Sequence, residues 1–350
     1  MLQILGAPRA RRPRRTALAA ILGMAGLKAA AAPGLPAMKE PAMQTASHLT
    51  PDGRLGDILR HPAFAGFARL LLPWDGRAYD DAMPLRQIAT LLPYHSRVDP
   101  VIVTSALNRM IDDVRDGQPV FHAIYSEAQQ QAQPAKANTG LFFFRGRPGA
   151  SFALIAPGGG FAYVGSVHEG FPYAQAISEA GYNAFVLRYR TGQGGIVATE
   201  DLAAAISYVF RHAEALGLCT LDYSLWGSSA GARMAAFIGS HGVAHFGGDA
   251  LPKPSTVVMA YTAHQDLGTD DPATFAIVGA QDGIAPPSSM EHRLALLRRS
   301  GTPVAYRRHD GLGHGFGTGA GTAAEGWIAD AMEFWQAHRA GSATGRPDNN

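Results

Sequence analysis

Five residues, Gly227-Ser228-Ser229-Ala230-Gly231, constrain this chain more than any other stretch, because they match G-x-S-x-G between a strand-like and a helix-like segment. Residues 221–226 read as a short buried strand, while Ala232, Ala235, Ala236 and Phe237 open an apolar, alanine-rich helix. The chain must turn sharply at Ser229. Such a turn strains the serine backbone and tolerates no side chain two residues before or after it, which Gly227 and Gly231 satisfy. The turn would lift the Ser229 hydroxyl clear of a sheet and leave the Ala230 amide at a helix N-terminus, aimed at any oxyanion that forms. The alternative is a Gly/Ser loop that matches by chance.

An activated serine needs a base to take its proton and a carboxylate to orient that base. Both lie downstream. Residues 274–279 form an apolar strand followed by Ala280-Gln281-Asp282-Gly283, which places Asp282 at the strand's C-terminal edge, where open α/β sheets build sites. A helix over 288–299 and a strand over 303–308 follow, and then the loop Gly311-Leu312-Gly313-His314-Gly315-Phe316. His314 is the preferred base. Asp-Gly is also an ordinary turn, and a Gly-flanked histidine can simply be exposed. His309 and Asp310 are the neighbouring competitors, but His309 ends its strand and has less freedom to reach Ser229.

A fourth element decides the class of chemistry. The strand over 152–156 runs into Pro157-Gly158-Gly159-Gly160-Phe161, and three consecutive glycines let backbone amides crowd a ligand atom. Gly159 and Gly160 are the candidate oxyanion donors, with Ala230 as their partner. A phosphate-cradling loop is the rival, but no Lys-Ser/Thr follows and the spacing fits neither Walker A nor G-x-G-x-x-G.

Glycine loop, serine elbow, Asp and His, in that order on alternating strands and helices, resemble the α/β-hydrolase superfamily over about residues 120–335. The likeness is to its esterase/lipase branch with a Gly-Gly-Gly oxyanion loop. Residues 157–161, Glu169-Gly170-Phe171-Pro172 and the run 184–190 are similar to acetylxylan/feruloyl esterase-like proteins, although Pro157 stands where many relatives carry His. The resemblance implies an α/β fold with a mostly parallel central sheet and helices on both faces. It implies Ser229 as nucleophile, His314 as base, Asp282 as orienting acid and Gly159, Gly160 and Ala230 as the oxyanion hole. The expected chemistry is cofactor-free hydrolysis of a carboxylic ester through an acyl-enzyme, on a small-molecule or carbohydrate ester such as an acetyl or feruloyl ester. A serine exopeptidase and a non-catalytic binding module are the alternatives.

Composition fits one enzyme domain with appendages, since 350 residues at 47% hydrophobic content bury one sizeable core. Residues 1–31 stand apart. Arg9, Arg11, Arg12, Arg14 and Arg15 precede an apolar run over 17–27 and a run of alanines, the layout of an export signal of twin-arginine type. That implies a periplasmic or secreted protein; a merely basic tail would leave it cytoplasmic. The apolar run is shorter than the roughly 20 residues that span a bilayer, so no stable membrane anchor is expected. The segment carries six of the 30 Lys/Arg and none of the 28 Asp/Glu, so its removal leaves a net charge of −4 and nothing that favours a nucleic-acid partner. Cys219 is the only cysteine, which excludes an internal disulfide or thiolate cluster. His241 and His245 have helical metal-ligand spacing, but Gly242 intervenes and no H-E-x-x-H glutamate is present, so no metal is expected.

Residues 32–50 read as a Pro-containing linker and 51–118 as a helical N-terminal extension broken by Pro62, Pro73, Pro84, Pro93 and Pro100. The catalytic domain then occupies 119–339, and 340–350 form a polar, frayed tail. Trp74, Tyr79 and Tyr94 could be core or could line a pocket mouth. Pocket candidates are Phe161, Tyr163, Ser228 and Phe316, which flank the oxyanion glycines, the nucleophile and the base. Their aromatic bulk suggests short acyl chains, with the extension either roofing the entrance or only covering a sheet edge.

Overall fold

The computed structural model describes residues 47–339. The proposed export signal, most of the linker and the C-terminal tail lie outside the described residues. Among the described residues eight strands form one sheet: β1 Phe121–His122, β2 Gly140–Phe144, β3 Ser151–Ala156, β4 Asn183–Arg188, β5 Cys219–Ser228, β6 Thr256–Ala260, β7 Ala273–Gly279 and β8 Val304–His309. Their spatial order is β1-β2-β4-β3-β5-β6-β7-β8. The β1–β2 and β2–β4 pairs are antiparallel and every other pair is parallel. Strands β2, β3, β4, β6 and β7 are buried at every position, because helices cover both faces of a parallel sheet and leave no solvent side.

Among the described residues nine α-helices accompany them: α1 Leu55–Leu59, α2 Pro100–Arg115, α3 Glu127–Ala132, α4 Phe171–Glu179, α5 Gly194–Arg211, α6 Ala213–Leu216, α7 Ala230–His241, α8 Pro287–Arg299 and α9 Trp327–Ala337. Helices α5 and α7 pack together over the sheet's middle, while α4 packs against α9 and against α2. Strand order reverses at β3, where the chain leaves toward β4 and then crosses back to β5. This reversal opens a crevice at the C-terminal ends of β3 and β5, the place where such sheets bind ligands.

The predicted extension is helical in short pieces, as its prolines dictate: α1, 3-10 turns over Pro62–Phe64, Ala68–Leu71 and Leu85–Leu91, and α2. It is no separate layer, however. The described residues form one compact unit, and Leu55, Ile58, Phe64, Leu72, Ile88 and Leu107 belong to the same buried core as the sheet. Leu49, placed by the sequence in a linker, is buried too, with its amide donating to Asn108 Oδ1 at 2.7 Å. Phe67 stacks on Phe121 of β1 at 5.1 Å and meets Phe142 of β2 edge-on at 6.1 Å. At the end of β4 the fully buried Arg188 donates to the carbonyls of Leu72 and Pro73 at 2.9 and 3.0 Å and pairs with Asp75 at 2.5 Å.

These contacts decide what truncation does. The six core side chains named above contribute on the order of 10 kcal/mol of apolar burial, and Arg188 without Asp75 and its carbonyls adds the several kcal/mol of an uncompensated buried charge, about 3–5. Together they match a whole domain's stability of roughly 5–15 kcal/mol. Deletion of residues 1–118 is therefore expected to leave no soluble, cooperatively unfolding protein by size exclusion and thermal melting. A folded 119–350 fragment would show that the extension is a true accessory.

Candidate active site

Strand β5 hands directly to α7, and Ser229 between them adopts φ 51° and ψ −116°, a strained conformation for a non-glycine residue. Packing enforces it. A Cβ at Gly231 would sit 1.8 Å from the Ala156 carbonyl oxygen of β3, and one at Gly227 would sit 2.4 Å from Gly231. The Ser229 amide donates to Ala260 O at 2.8 Å, tying the elbow to the end of β6.

The turn presents the Ser229 hydroxyl to His314, whose Nε2 lies 2.9 Å from Oγ. His314 Nδ1 lies 2.8 Å from Asp282 Oδ2. The other Asp282 oxygen accepts from the amides of Ile284 and Ala285 at 2.9 and 2.7 Å, so the carboxylate cannot rotate away. Asp282 follows β7 and His314 follows β8; both are buried, while Ser229 stays partly exposed. His309 is the last residue of β8, and its carbonyl accepts from the Ala280 amide, away from this chain of contacts.

The loop after β3 completes the edge. The Gly158 amide donates to Glu169 Oε2 at 2.7 Å and is therefore occupied, whereas the amides of Gly159 and Gly160 donate to no group among the described residues. Gly159 and Gly160 have φ of 132° and 62°, so the loop's direction depends on their lacking side chains. Ala230 begins α7, which puts its amide at a helix N-terminus beside the serine.

The pocket candidates are placed differently from the sequence expectation. Tyr163, Ser228 and Phe316 are buried at 0–1% exposure and shape the site from behind rather than lining an opening. Tyr163 hydrogen-bonds His95 Nδ1 at 2.8 Å, Ser228 donates to the Tyr173 hydroxyl at 3.3 Å and Phe316 packs edge-on against Tyr261. Phe161 alone is partly exposed, its ring set against Gly195 and Tyr189. Tyr94 from the extension takes the place at the mouth: it is 43% exposed, and its ring edge lies 3.0 Å from where a Gly160 Cβ would be.

Sequence reasoning missed the layer beneath. Ser96 donates from its hydroxyl to His314 O at 2.7 Å and from its amide to Gly315 O at 2.9 Å, and His168 Nε2–H donates to Gly315 O at 3.0 Å. Burial, reinforced by the nearby His95, lowers the His168 pKa to about 4 and keeps that donor neutral. Glu169 and Tyr261 belong to the same layer. The signal available was a Ser-Val-His-Glu run opening an otherwise apolar helix, where polar side chains can only be buried with partners.

A serine, an imidazole and a carboxylate in hydrogen-bonded series, on the C-terminal edge of a sheet whose order reverses beside them, complete the pattern. The chain has the α/β-hydrolase fold. The BD-FAE family model matches residues 152–263 of the chain, a span that includes Gly159, Gly160, Glu169, Ser229 and Ala230 but not Asp282, His314 or His95. No curated protein sequence matches the chain. Among solved structures it is similar to an acetyl ester-xyloside bifunctional hydrolase from Caldicellulosiruptor lactoaceticus, at 17% identity and TM-score 0.54 over 62% of this chain and 95% of that one. It is also similar to a thermophilic esterase from Thermogutta terrifontis, at 15% identity and TM-score 0.52 over 65% and 94%. A third is an α/β-hydrolase from a Medee basin deep-sea metagenome library, at 22% and 0.50 over 57% and 91%.

The elbow contacts yield a stability prediction. Replacing Gly231 with Val forces α7 off β3 and is expected to cost about 3 kcal/mol or more, read as a drop in thermal midpoint of several degrees with loss of serine labelling. A Gly231→Val protein as stable as the parent would mean that the close approach is not needed.

Proposed function

We propose that this α/β-hydrolase is a serine esterase, and the observation that carries the reading is the unbroken series Ser229–His314–Asp282 at 2.9 and 2.8 Å beside two uncommitted glycine amides. Ser229 Oγ attacks the ester carbonyl as His314 Nε2 takes its proton. Asp282 holds Nδ1–H, fixing the tautomer and stabilising the imidazolium. The tetrahedral oxyanion forms against the amides of Gly159, Gly160 and Ala230, which are oriented before the reaction begins. His314 then passes its proton to the leaving alkoxide, and water clears the acyl-enzyme through the same base. Every step draws on this chain's own side chains and amides and on water.

For substrate, the reading is a short-chain carboxylic ester, with acetyl or feruloyl esters of carbohydrates as the first to test. The Thermogutta terrifontis esterase has been solved with propionate and with butyrate, and the Caldicellulosiruptor lactoaceticus enzyme is described as an acetyl ester-xyloside hydrolase. Tyr94 over Gly160 and Phe161 beside it set aromatic bulk where an extended acyl or alcohol group would leave. Export to the periplasm or beyond is part of the proposal and rests on Arg14, Arg15 and the apolar run over 17–27. No helix among the described residues is long and apolar enough to cross a membrane.

Ser229→Ala and His314→Ala are each expected to lower kcat by about three or more orders of magnitude on p-nitrophenyl acetate, and the double variant to be little worse, since the residues act as one unit. Asp282→Asn should be less severe. Near-normal turnover in Ser229→Ala would end the reading. A fluorophosphonate should label the parent but not Ser229→Ala; no label would point instead to a binding module. Across p-nitrophenyl esters, acetyl and butyryl are expected to turn over at least about tenfold faster than palmitoyl, a difference of some 1.4 kcal/mol in barrier. Faster palmitoyl hydrolysis would refute the short-chain claim, and preference for peptide anilides would favour an exopeptidase.

A further inference from the structure

Behind the glycine loop lies a carboxylate that the triad does not use. Glu169 is fully buried in a π-helical turn, Ser166–Gly170, that leads into α4, and such turns interrupt a helix to aim a side chain. Its Oε2 accepts from the Gly158 amide at 2.7 Å and faces His95 Nε2 at 3.0 Å; its Oε1 accepts from the Tyr261 hydroxyl at 2.7 Å. His95, with a side chain 2% exposed, comes from the extension.

The contacts around His95 fix its ring: Nε2 lies 3.0 Å from Glu169 Oε2 and Nδ1 lies 2.8 Å from the Tyr163 hydroxyl, which accepts from the Tyr94 amide at 3.0 Å. Burial alone would raise the Glu169 pKa, but the facing His95 and the hydrogen bonds from His95 and Tyr261 outweigh it and bring the carboxyl down to about 2. A buried carboxylate so constrained has one geometry, and among the described residues the main-chain group it holds is the first glycine of the oxyanion loop.

We infer that His95 and Glu169 form a positioning pair that fixes the oxyanion loop through the Gly158 amide, and so sets the rate of acyl transfer without touching substrate. The inference rests on the esterase reading above. Without the pair, Gly158 loses its acceptor and the amides of Gly159 and Gly160 lose their aim. A displacement of about 1 Å at such donors costs on the order of 10²-fold in rate while leaving ground-state binding nearly intact.

The test uses the full chain carrying Glu169→Ala, Glu169→Gln, His95→Ala or His95→Gln, with kcat counted per serine labelled by fluorophosphonate. Glu169→Ala is expected to lose about 100-fold in kcat on p-nitrophenyl acetate with KM within about threefold. Affinity for phenylboronic acid, whose serine adduct is tetrahedral, should fall in parallel. Glutamine keeps an acceptor for Gly158 at position 169 and an N–H donor at position 95, so both glutamine variants should recover to within about tenfold of the parent. Should Glu169→Ala not fold, the His95 pair carries the same comparison. Full kcat per labelled serine in the alanine variants, a loss confined to KM, or glutamine variants as impaired as alanine would each overturn the inference. Amide hydrogen exchange separates the two readings: it should rise over residues 157–163 in the alanine variants and stay unchanged over 279–285 whether or not the protein hydrolyses esters. A parent that neither labels nor hydrolyses, with exchange changed as stated, would remove the esterase reading and leave the pair's hold on the loop standing; unchanged exchange would remove the pair.

Discussion

How closely α7 can approach β3 decides the rest of the site. The Gly231 Cα meets the end of β3 so tightly that any side chain would overlap the Ala156 carbonyl, and Gly227 permits the same approach from the strand side. That approach puts the serine at the head of the helix and beside the loop that leaves β3. The strain at Ser229 follows from it. The strain of a positive φ, on the order of 1–3 kcal/mol, is small against the burial of β3, β5 and α7 around it, so the elbow survives because its neighbours fix it.

The second constraint is that the N-terminal extension and the sheet share one core. Pro73 O accepts from the Val164 amide, Ser96 holds both His314 and Gly315 by their carbonyls, and His95 reaches Glu169. The oxyanion loop and the histidine loop leave opposite sides of the central strands and do not pair with each other in the sheet. Residues 94–96 bridge them. A segment that looks accessory by its place in the chain therefore acts as the brace across the two loops, and covering a sheet edge is the smaller part of what it does.

This division explains what could be read from the sequence. The positions of Ser229, Asp282 and His314, the glycine loop and the strands carrying them were legible because each depends on residues within a few positions of one another: G-x-S-x-G after an apolar run, Asp after an apolar run, His in a glycine loop. Strands β3, β5 and β7 extend the expected ones by one or two residues at an end, as pairing with neighbours adds positions that local pattern does not mark, and β8 is shifted by one. Glu169, His95 and Ser96 were not legible as site residues, since their partners lie 74 and 218 positions away in the chain and no local pattern records such pairings. Tyr163 and Phe316 were misplaced into a pocket for a related reason. Proximity in sequence to a catalytic glycine or histidine says nothing about which side of the loop a ring packs on, and here both rings fall on the buried side.

On the proposed mechanism, a negative charge buried beside a site that stabilises an oxyanion looks counterproductive, and the hydrogen bonds resolve the conflict. Three donors converge on Glu169, from Gly158, His95 and Tyr261, so its charge is spread into the protein side of the loop before it can act on the substrate side. The Gly158 amide dipole is spent on the carboxylate, and the following peptide units are turned by their positive φ so that their amides are left uncommitted. Removing the carboxylate would lessen the repulsion felt by an oxyanion but would also release the loop that aims the donors. At fixed, water-excluded sites, misaiming a donor costs more than a screened charge behind it. The arrangement favours geometry over local potential, which is the general condition for amides oriented before the charge arrives.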